Sequence, residues 1–384
     1  MAKTKPMAGL VLTSGGARGA YQAGVLKALG EFVPKGSQPF PILAGVSAGS
    51  INSGFLAAGA QDFSGATRRL AELWVQLQPK DVFRTDTASL SRVGVQWMTD
   101  LSLGGFFGGV HGKALLDTGP LRNFMTTNVD IGKIEENIAS GLLHGVAVSA
   151  TNYFSGTAVT FYDGAPTIKP WIRTTRIGVH DKLTIEHFMA SSAIPIFFPT
   201  VRLNDAFYGD GCIRLTTPLS PAIHMGADRV LAIGIRYNRT PAATVDLNRT
   251  STNSVPMIAD IAGVLLNSMF LDGLEADVER MKRINHTLGM IPQKQVDEHP
   301  ESLRVIPVMT LQPSRDLGSL VLESLNTFPR TVRHLLRGLG ASEEKGWDLL
   351  SYLAFDTMYT QPLVELGYSD GYTAKDELLE FLRQ

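Results

Sequence analysis

A serine flanked by glycines, Gly45-Val46-Ser47-Ala48-Gly49, is the clearest place for chemistry in this chain of 384 residues. An apolar run over residues 41–46 leads into it, and a helix-compatible stretch over 51–58 follows. A G-x-S-x-G pattern at a strand–turn–helix junction forces the serine hydroxyl out of a sharp bend. Gly45 and Gly49 suit that bend because strand and helix backbones pass too close for side chains. The helix N-terminus behind Ser47 supplies partial positive charge where an oxyanion would form. The bland alternative is a turn in which Ser47 or Ser50 merely caps the helix.

A second glycine-rich turn, Ser14-Gly15-Gly16-Ala17-Arg18-Gly19, follows the short apolar run Leu10-Val11-Leu12. Tyr21, Val25, Leu26, Leu29 and Phe32 then recur at helical spacing, which predicts a helix over 20–32. Strand, glycine turn and helix together present bare backbone N–H groups to an anion. A dinucleotide fingerprint would read G-x-G-x-x-G; here the glycines stand at 15, 16 and 19, and no clear acidic residue ends a second strand about 20 residues on. The chemical reading is an oxyanion hole in which Gly15 and Gly16 stabilise the charge formed when Ser47 attacks a carbonyl, each donor contributing roughly 3 kcal/mol. Arg18 buttresses that loop in this reading. A plain tight turn is the competing one.

A serine nucleophile needs a base. Eight histidines are present, and none stands in a recognisable nucleophile–base motif. The common α/β serine hydrolase puts several strands before its nucleophile and orders its triad Ser…Asp/Glu…His; Ser47 follows only the second strand. A carboxylate is therefore the better base. Of four Asp-Gly pairs, Asp272-Gly273 falls in a helical stretch, Asp370-Gly371 in the tail, and Asp163-Gly164 at an expected hairpin turn between two β-rich runs. Asp210-Gly211 lies between an apolar, proline-rich approach and a core strand, and is the choice.

The elements that must bring Ser47 and Asp210 together alternate between β and α character. Further strands are expected near 144–151, 158–162, 201–203, 206–208, 229–235 and 304–308. Helices are expected near 65–76, from an acid-capped start at 117–121, at 184–191 and at 218–225. A polar surface loop is read over 237–255, and one long or kinked amphipathic helix over 257–288. Residues 101–109, bulky and apolar between glycine pairs, read as an internal connection, with a mobile lid as the alternative. The tail beyond 316 is helical in pattern and expected to pack on the rest.

Composition is that of an ordinary globular protein, 44% hydrophobic and 18% charged. A net charge of −1 gives no reason to expect nucleic acid. The single cysteine, Cys212, excludes an internal disulfide and fits a reducing compartment. Neither a secretory signal nor a bilayer-length apolar run is written, so a cytoplasmic protein is expected, with any lipid contact peripheral. No residue cluster has metal-ligand spacing, and the proposed chemistry needs no cofactor.

Taken together and in order, three motifs resemble the patatin-like phospholipases: the loop Gly15-Gly16-Ala17-Arg18-Gly19, the elbow Gly45-Val46-Ser47-Ala48-Gly49, and Asp210-Gly211. The approach Ala190-Ser191-Ser192-Ala193-Ile194-Pro195 is similar to the family segment before that aspartate. The family usually writes Asp-Gly-Gly or Asp-Gly-Ala, whereas Cys212 stands third here. The resemblance covers about residues 9–235. It implies a three-layer α/β/α fold with a central, mostly parallel sheet, over residues 8–312, and a C-terminal helical extension over 313–384. It implies a Ser47–Asp210 dyad, an oxyanion hole at Gly15–Gly19, and acyl-ester or lipid substrates. An acyltransferase using the same serine and a silent lipid-binding protein are the alternatives. Oligomeric state is left open.

Overall fold

The computed structural model describes residues 6–84, 114–249, 255–292, 303–324 and 347–383. Among these residues ten strands form one sheet: β1 Ala8–Leu12, β2 Ile42–Val46, β3 Gly145–Asn152, β4 Ala158–Gly164, β5 Trp171–Arg173, β6 Arg176–His180, β7 Val201–Leu203, β8 Ala206–Asp210, β9 Arg229–Ile233 and β10 Val308–Leu311. Their order is β10-β9-β1-β2-β3-β4-β6-β5, with β7 and β8 off this path. The first five are mutually parallel; antiparallel pairings begin at β3–β4. Parallel neighbours need crossovers. Helix α1 Ala20–Phe32, helix α2 Ala48–Ala58 and helix α3 Phe63–Gln76 lie in those connections.

The central strands β1, β2, β3 and β9 are buried on both faces, which is why they read as continuous apolar runs rather than alternating ones. The two-residue period persists in what each side chain touches. Leu10, Leu12, Leu43, Val146, Val148, Leu231 and Ile233 join a core with α1, α2 and α3. Val11, Ile42, Ala44, Ala147, Val230 and Ala232 join a second core under the helices Ser220–His224 and Asp272–Gly289. These are the three layers α/β/α. The C-terminal helix Thr357–Thr373 lies on α1, and its Tyr359 and Leu363 are fully buried in the first core.

Three expectations are corrected. Asp163-Gly164 is not a hairpin turn but the end of β4, paired with Val146 and Gly145. The reversal comes earlier, where Asn152 Oδ1 accepts the N–H groups of Phe154 and Ser155, and Gly156 takes φ 65°. Residues 237–255 are not all loop, because the helix Pro241–Arg249 lies within them. The stretch 257–288 is two helices, Ile258–Phe270 and Asp272–Gly289, meeting at Leu271. The 101–109 segment and tail residues such as Leu335 lie outside the described residues.

Candidate active site

The meeting of Ser47 and Asp210 follows from strand register. β3 gives one edge to β4 along its whole length. The other edge is shared end to end. β2 runs parallel to β3 as far as the pair Val46–Ser149, and β8 runs antiparallel down to the pair Asp210–Ala150. The two strands approach head-on, so both chains must leave the sheet at adjacent positions. Residues separated by 163 positions therefore face each other, and Ser47 Oγ donates to Asp210 Oδ2 at 2.6 Å.

Ser47 leaves β2 at φ 56° and ψ −129°, a backbone conformation that side chains rarely adopt. It persists because its neighbours fix it. The Ser47 N–H donates to Ser191 Oγ (2.9 Å), and that hydroxyl donates onward to the Ser149 carbonyl (2.6 Å). The Ser47 carbonyl accepts from Ser50 Oγ (2.7 Å) and Ser192 Oγ (3.2 Å). Glycine is required behind the bend: a Cβ on Gly49 would sit 2.1 Å from the Leu12 carbonyl oxygen, and one on Gly45 would sit 2.4 Å from that of Gly49.

Asp210 is wholly buried. Its N–H donates to the Ala193 carbonyl, its carbonyl accepts from Thr151 Oγ1, and its Oδ1 accepts from the Cys212 N–H at 3.0 Å. No arginine, lysine or histidine pairs with it among the described residues. Burial pushes its pKa up to about 6, against the opposing hydrogen bonds from Ser47 and Cys212. The Cys212 thiol is buried as well and pushed up by burial and by the carboxylate beside it.

The glycine loop begins where β1 ends, level with the end of β2: Leu12 pairs with Gly45. Gly16–Gly19 forms a 3-10 turn in which the Arg18 N–H donates to the Gly15 carbonyl. The N–H groups of Gly15, Gly16 and Ala17 are given to no acceptor among the described residues. Gly16 adopts φ 52°, and a Cβ there would fall 2.3 Å from the Tyr352 carbonyl oxygen. The Arg18 side chain turns to the C-terminal helix Trp347–Leu353 instead of to Ser47. Its Nε donates to Ser351 Oγ (2.8 Å), its guanidinium pairs with Asp348 (2.9 Å), and it lies 4.2 Å from the Tyr352 ring centre. Burial opposes the Arg18 charge, but Tyr352, Tyr359 and Asp348 outweigh it and hold its pKa above the ordinary value.

A polar relay under the loop has no counterpart in the sequence reading. Trp74 Nε1 donates to Asn52 Oδ1, Asn52 Nδ2 to Gln22 Oε1 and the Gly19 carbonyl, and Gln22 Nε2 to the carbonyls of Thr13 and Ile233. It ties both ends of the loop to α1 and α2. Neither the relay nor Ser191 carries a local motif. The run Ser191-Ser192 beside the proline-rich approach was the one available signal.

Gly16 and Ser47 share the wall of one narrow cavity that is partly open to solvent. Its remaining walls are almost entirely apolar, with Phe55, Leu73, Trp74, Phe124, Phe198 and Phe355 among them. Such a lining is chemically matched to hydrocarbon, with Ser47 and Ser192 its only hydroxyl-bearing residues among those described. The described histidines serve elsewhere. His187 is buried against Phe161, with Nδ1 at the Thr184 N–H and Nε2 3.4 Å from Asp181, and so caps its own helix. Among the described residues, no group of three acidic, histidine or cysteine side chains is placed to hold a metal ion.

The patatin-like phospholipase family model matches residues 10–223, so the chain belongs to that family of lipid acyl hydrolases. Among solved structures it is similar to VipD from Legionella pneumophila, at 13% identity and a TM-score of 0.38, over 97% of this chain and 67% of that one. It is also similar to human GIVD cytosolic phospholipase A2 in complex with methyl gamma-linolenyl fluorophosphonate, at 13% identity and a TM-score of 0.40. There the match covers 98% of this chain and 59% of that one. No curated protein matches the chain.

Proposed function

We propose that the chain is a serine lipid acyl hydrolase working through a Ser47–Asp210 dyad. The observation that carries this reading is the 2.6 Å contact from Ser47 Oγ to Asp210 Oδ2 at the wall of an apolar cavity. Asp210 takes the Ser47 proton as Oγ attacks the ester carbonyl, giving a tetrahedral oxyanion. The unoccupied N–H groups of Gly15, Gly16 and Ala17 stabilise that charge, together with the N-terminus of α2. The Ser47 N–H is not one of the donors, since Ser191 holds it. Collapse expels the alcohol or lysophospholipid, which leaves with the proton from Asp210. Water, giving its proton to Asp210, then attacks the acyl-serine, and as the second tetrahedral intermediate collapses Asp210 returns that proton to Ser47 Oγ and the fatty acid is freed.

A carboxylate with an ordinary pKa is a weak base. Burial to about 6 makes Asp210 a better one while leaving it ionised at neutral pH. Residues 8–312 carry the reaction in this reading, and 313–384 brace the oxyanion loop through Asp348 and Ser351. The test is hydrolysis of a panel of acyl esters and phospholipids by the purified protein, beside Ser47→Ala. The folded variant should lose at least ~10³-fold in kcat/KM and all labelling by a fluorophosphonate probe. Hydrolysis retained by folded Ser47→Ala would overturn the assignment.

A further inference from the structure

Trp74 belongs to two parts of the molecule at once. It stands on the buried face of helix α3 with Phe63, Thr67, Leu70 and Ala71, and it forms part of the cavity wall that Gly16 and Ser47 share. There its ring stacks on Phe355, another wall residue, with 6.4 Å between ring centres and 19° between planes. The same ring lies against the end of the glycine loop: a Cβ on Gly19 would come 3.2 Å from it. The indole N–H is given to Asn52 Oδ1 at 2.7 Å.

The relay that starts there can run in one direction. An indole N–H donates and cannot accept, and a backbone carbonyl accepts and cannot donate. With Trp74 at one end, Asn52 must present Oδ1 to it and its amide hydrogens to the Gly19 carbonyl and Gln22 Oε1. Gln22 must then give its own hydrogens to the carbonyls of Thr13 and Ile233. Asn52 and Gln22 are wholly buried, so a polar atom left over there is buried without a partner. The Thr13 and Gly19 carbonyls bracket the N–H groups of Gly15, Gly16 and Ala17. Without the indole N–H, Asn52 Oδ1 has no donor among the described residues, and an amide that turns to find one takes Nδ2 away from the loop.

We propose that Trp74 is a positioning residue for the hydrolysis: its ring meets the acyl chain, and its N–H, through Asn52 and Gln22, keeps the oxyanion loop aimed at Ser47. The proposal rests on the lipid-hydrolase reading above and adds to it the side chain that joins the acyl wall to the anion-binding wall. The two contributions separate in kinetics. The ring touches substrate before and during reaction and so governs KM, whereas the loop meets charge that exists in the transition state and so governs kcat. A tryptophan that served as packing alone would, on losing its N–H, leave kcat where it was.

The experiment measures kcat and KM on p-nitrophenyl butyrate and decanoate for the purified chain, Trp74→Phe, Gln22→Met and the two together, each checked for a cooperative melt. Trp74→Phe should lower kcat at least about 10-fold on both esters, because a misaimed oxyanion donor approaches the cost of a missing one. Its KM for the butyrate should stay within about threefold. Gln22 lies outside the cavity wall and bonds to Asn52 rather than to Trp74, yet Gln22→Met should lower kcat similarly. The double variant should fall well short of the product of the two losses, since the relay acts as one unit. Benzothienylalanine at position 74 keeps the fused ring and puts sulfur where the N–H was, so it should reproduce the kcat loss with native KM on both esters. Native kcat in that protein, a loss confined to KM, or a double variant equal to the product would overturn the proposal. Hydrolysis surviving in Ser47→Ala would sink the dyad and this inference with it. Hydrolysis that Ser47→Ala abolishes and the position-74 variants leave at native kcat would sink this inference alone.

Discussion

The two walls of the site are held in opposite ways. The wall carrying Ser47 and Asp210 is a meeting of strand ends, fixed by short contacts between uncharged groups and one unpaired carboxylate. The wall carrying Gly15–Gly19 is fixed from behind by a charged pair, Arg18 with Asp348, whose members lie 330 positions apart. A reacting carboxylate has to stay free to gain a proton, so a fixed cation beside it would defeat it. A loop that only presents N–H groups gains from a permanent ion pair, provided the guanidinium points elsewhere. The first wall should therefore trade stability for activity, while the second supports both.

Replacing Asp210 with Asn is the sharpest way to separate them. Hydrolysis should fall at least ~10³-fold because the amide cannot take the Ser47 proton. Stability should move the other way. The folded pKa is about 6 against an ordinary value of 3.8, so the folded state holds the proton more tightly. The wild type accordingly loses stability as pH rises from about 4 through about 6, and the loss is complete above that. At pH 8 Asp210→Asn should be more stable by roughly 2–3 kcal/mol, with the gain gone at pH 4, as urea titrations at the two pH values would show. The same pKa sets the activity profile: wild-type kcat/KM should climb about tenfold per pH unit below 6 and flatten above. A variant destabilised at pH 8, or a flat profile across pH 5–7, would break the contrast.

Within the first wall, Ser191→Ala removes the acceptor of the Ser47 N–H and the donor to Ser149 at once. Catalysis should drop about 10- to 100-fold, mainly in kcat because the elbow loses its aim, with a stability loss of about 1–2 kcal/mol. A Ser191→Ala enzyme with native kcat would mean the strained bend holds itself.

This residue also marks the limit of what the sequence discloses. Ser47, the glycine loop and helix α1 were legible because each is a local event: a turn, a glycine pair, a 3.6-residue period. The choice of Asp210 among four Asp-Gly pairs rested on its apolar flanks, and the strand register explains why those flanks matter. Ser191, Trp74 and Asp348 act through partners 144, 22 and 330 positions away, and no spacing rule reaches that far. Asp163-Gly164 misled for the same reason, since pairing along β3, not dipeptide preference, decides where that chain turns.

The second wall is probed by Asp348→Ala, which leaves the Arg18 charge buried without its carboxylate. With the Asp348 side chain 28% exposed, the stability cost should be about 2 kcal/mol, below that of a fully buried pair. Hydrolysis should fall only a few-fold as the Gly16 loop loosens. Loss of stability and activity together, against their opposition in Asp210→Asn, is the signature to seek in melting curves and kcat. Abolished hydrolysis with unchanged melting would put Asp348 in the chemistry and out of the brace.

The smallest effect belongs to Cys212→Ala. The thiol belongs to the second residue after Asp210 and lies beside that carboxylate, where a second nucleophile could be imagined. Burial and the neighbouring carboxylate push its pKa up, which keeps it protonated and unreactive. What the site takes from this residue is its backbone N–H, donated to Asp210 Oδ1, and alanine supplies the same group. Activity should stay within about threefold of wild type, and stability should fall by about 1 kcal/mol for the lost sulfur packing. Thiol-directed reagents should leave wild-type hydrolysis untouched. A tenfold loss in Cys212→Ala, not restored by Cys212→Ser, would show that the side chain and not the backbone sets the carboxylate's position.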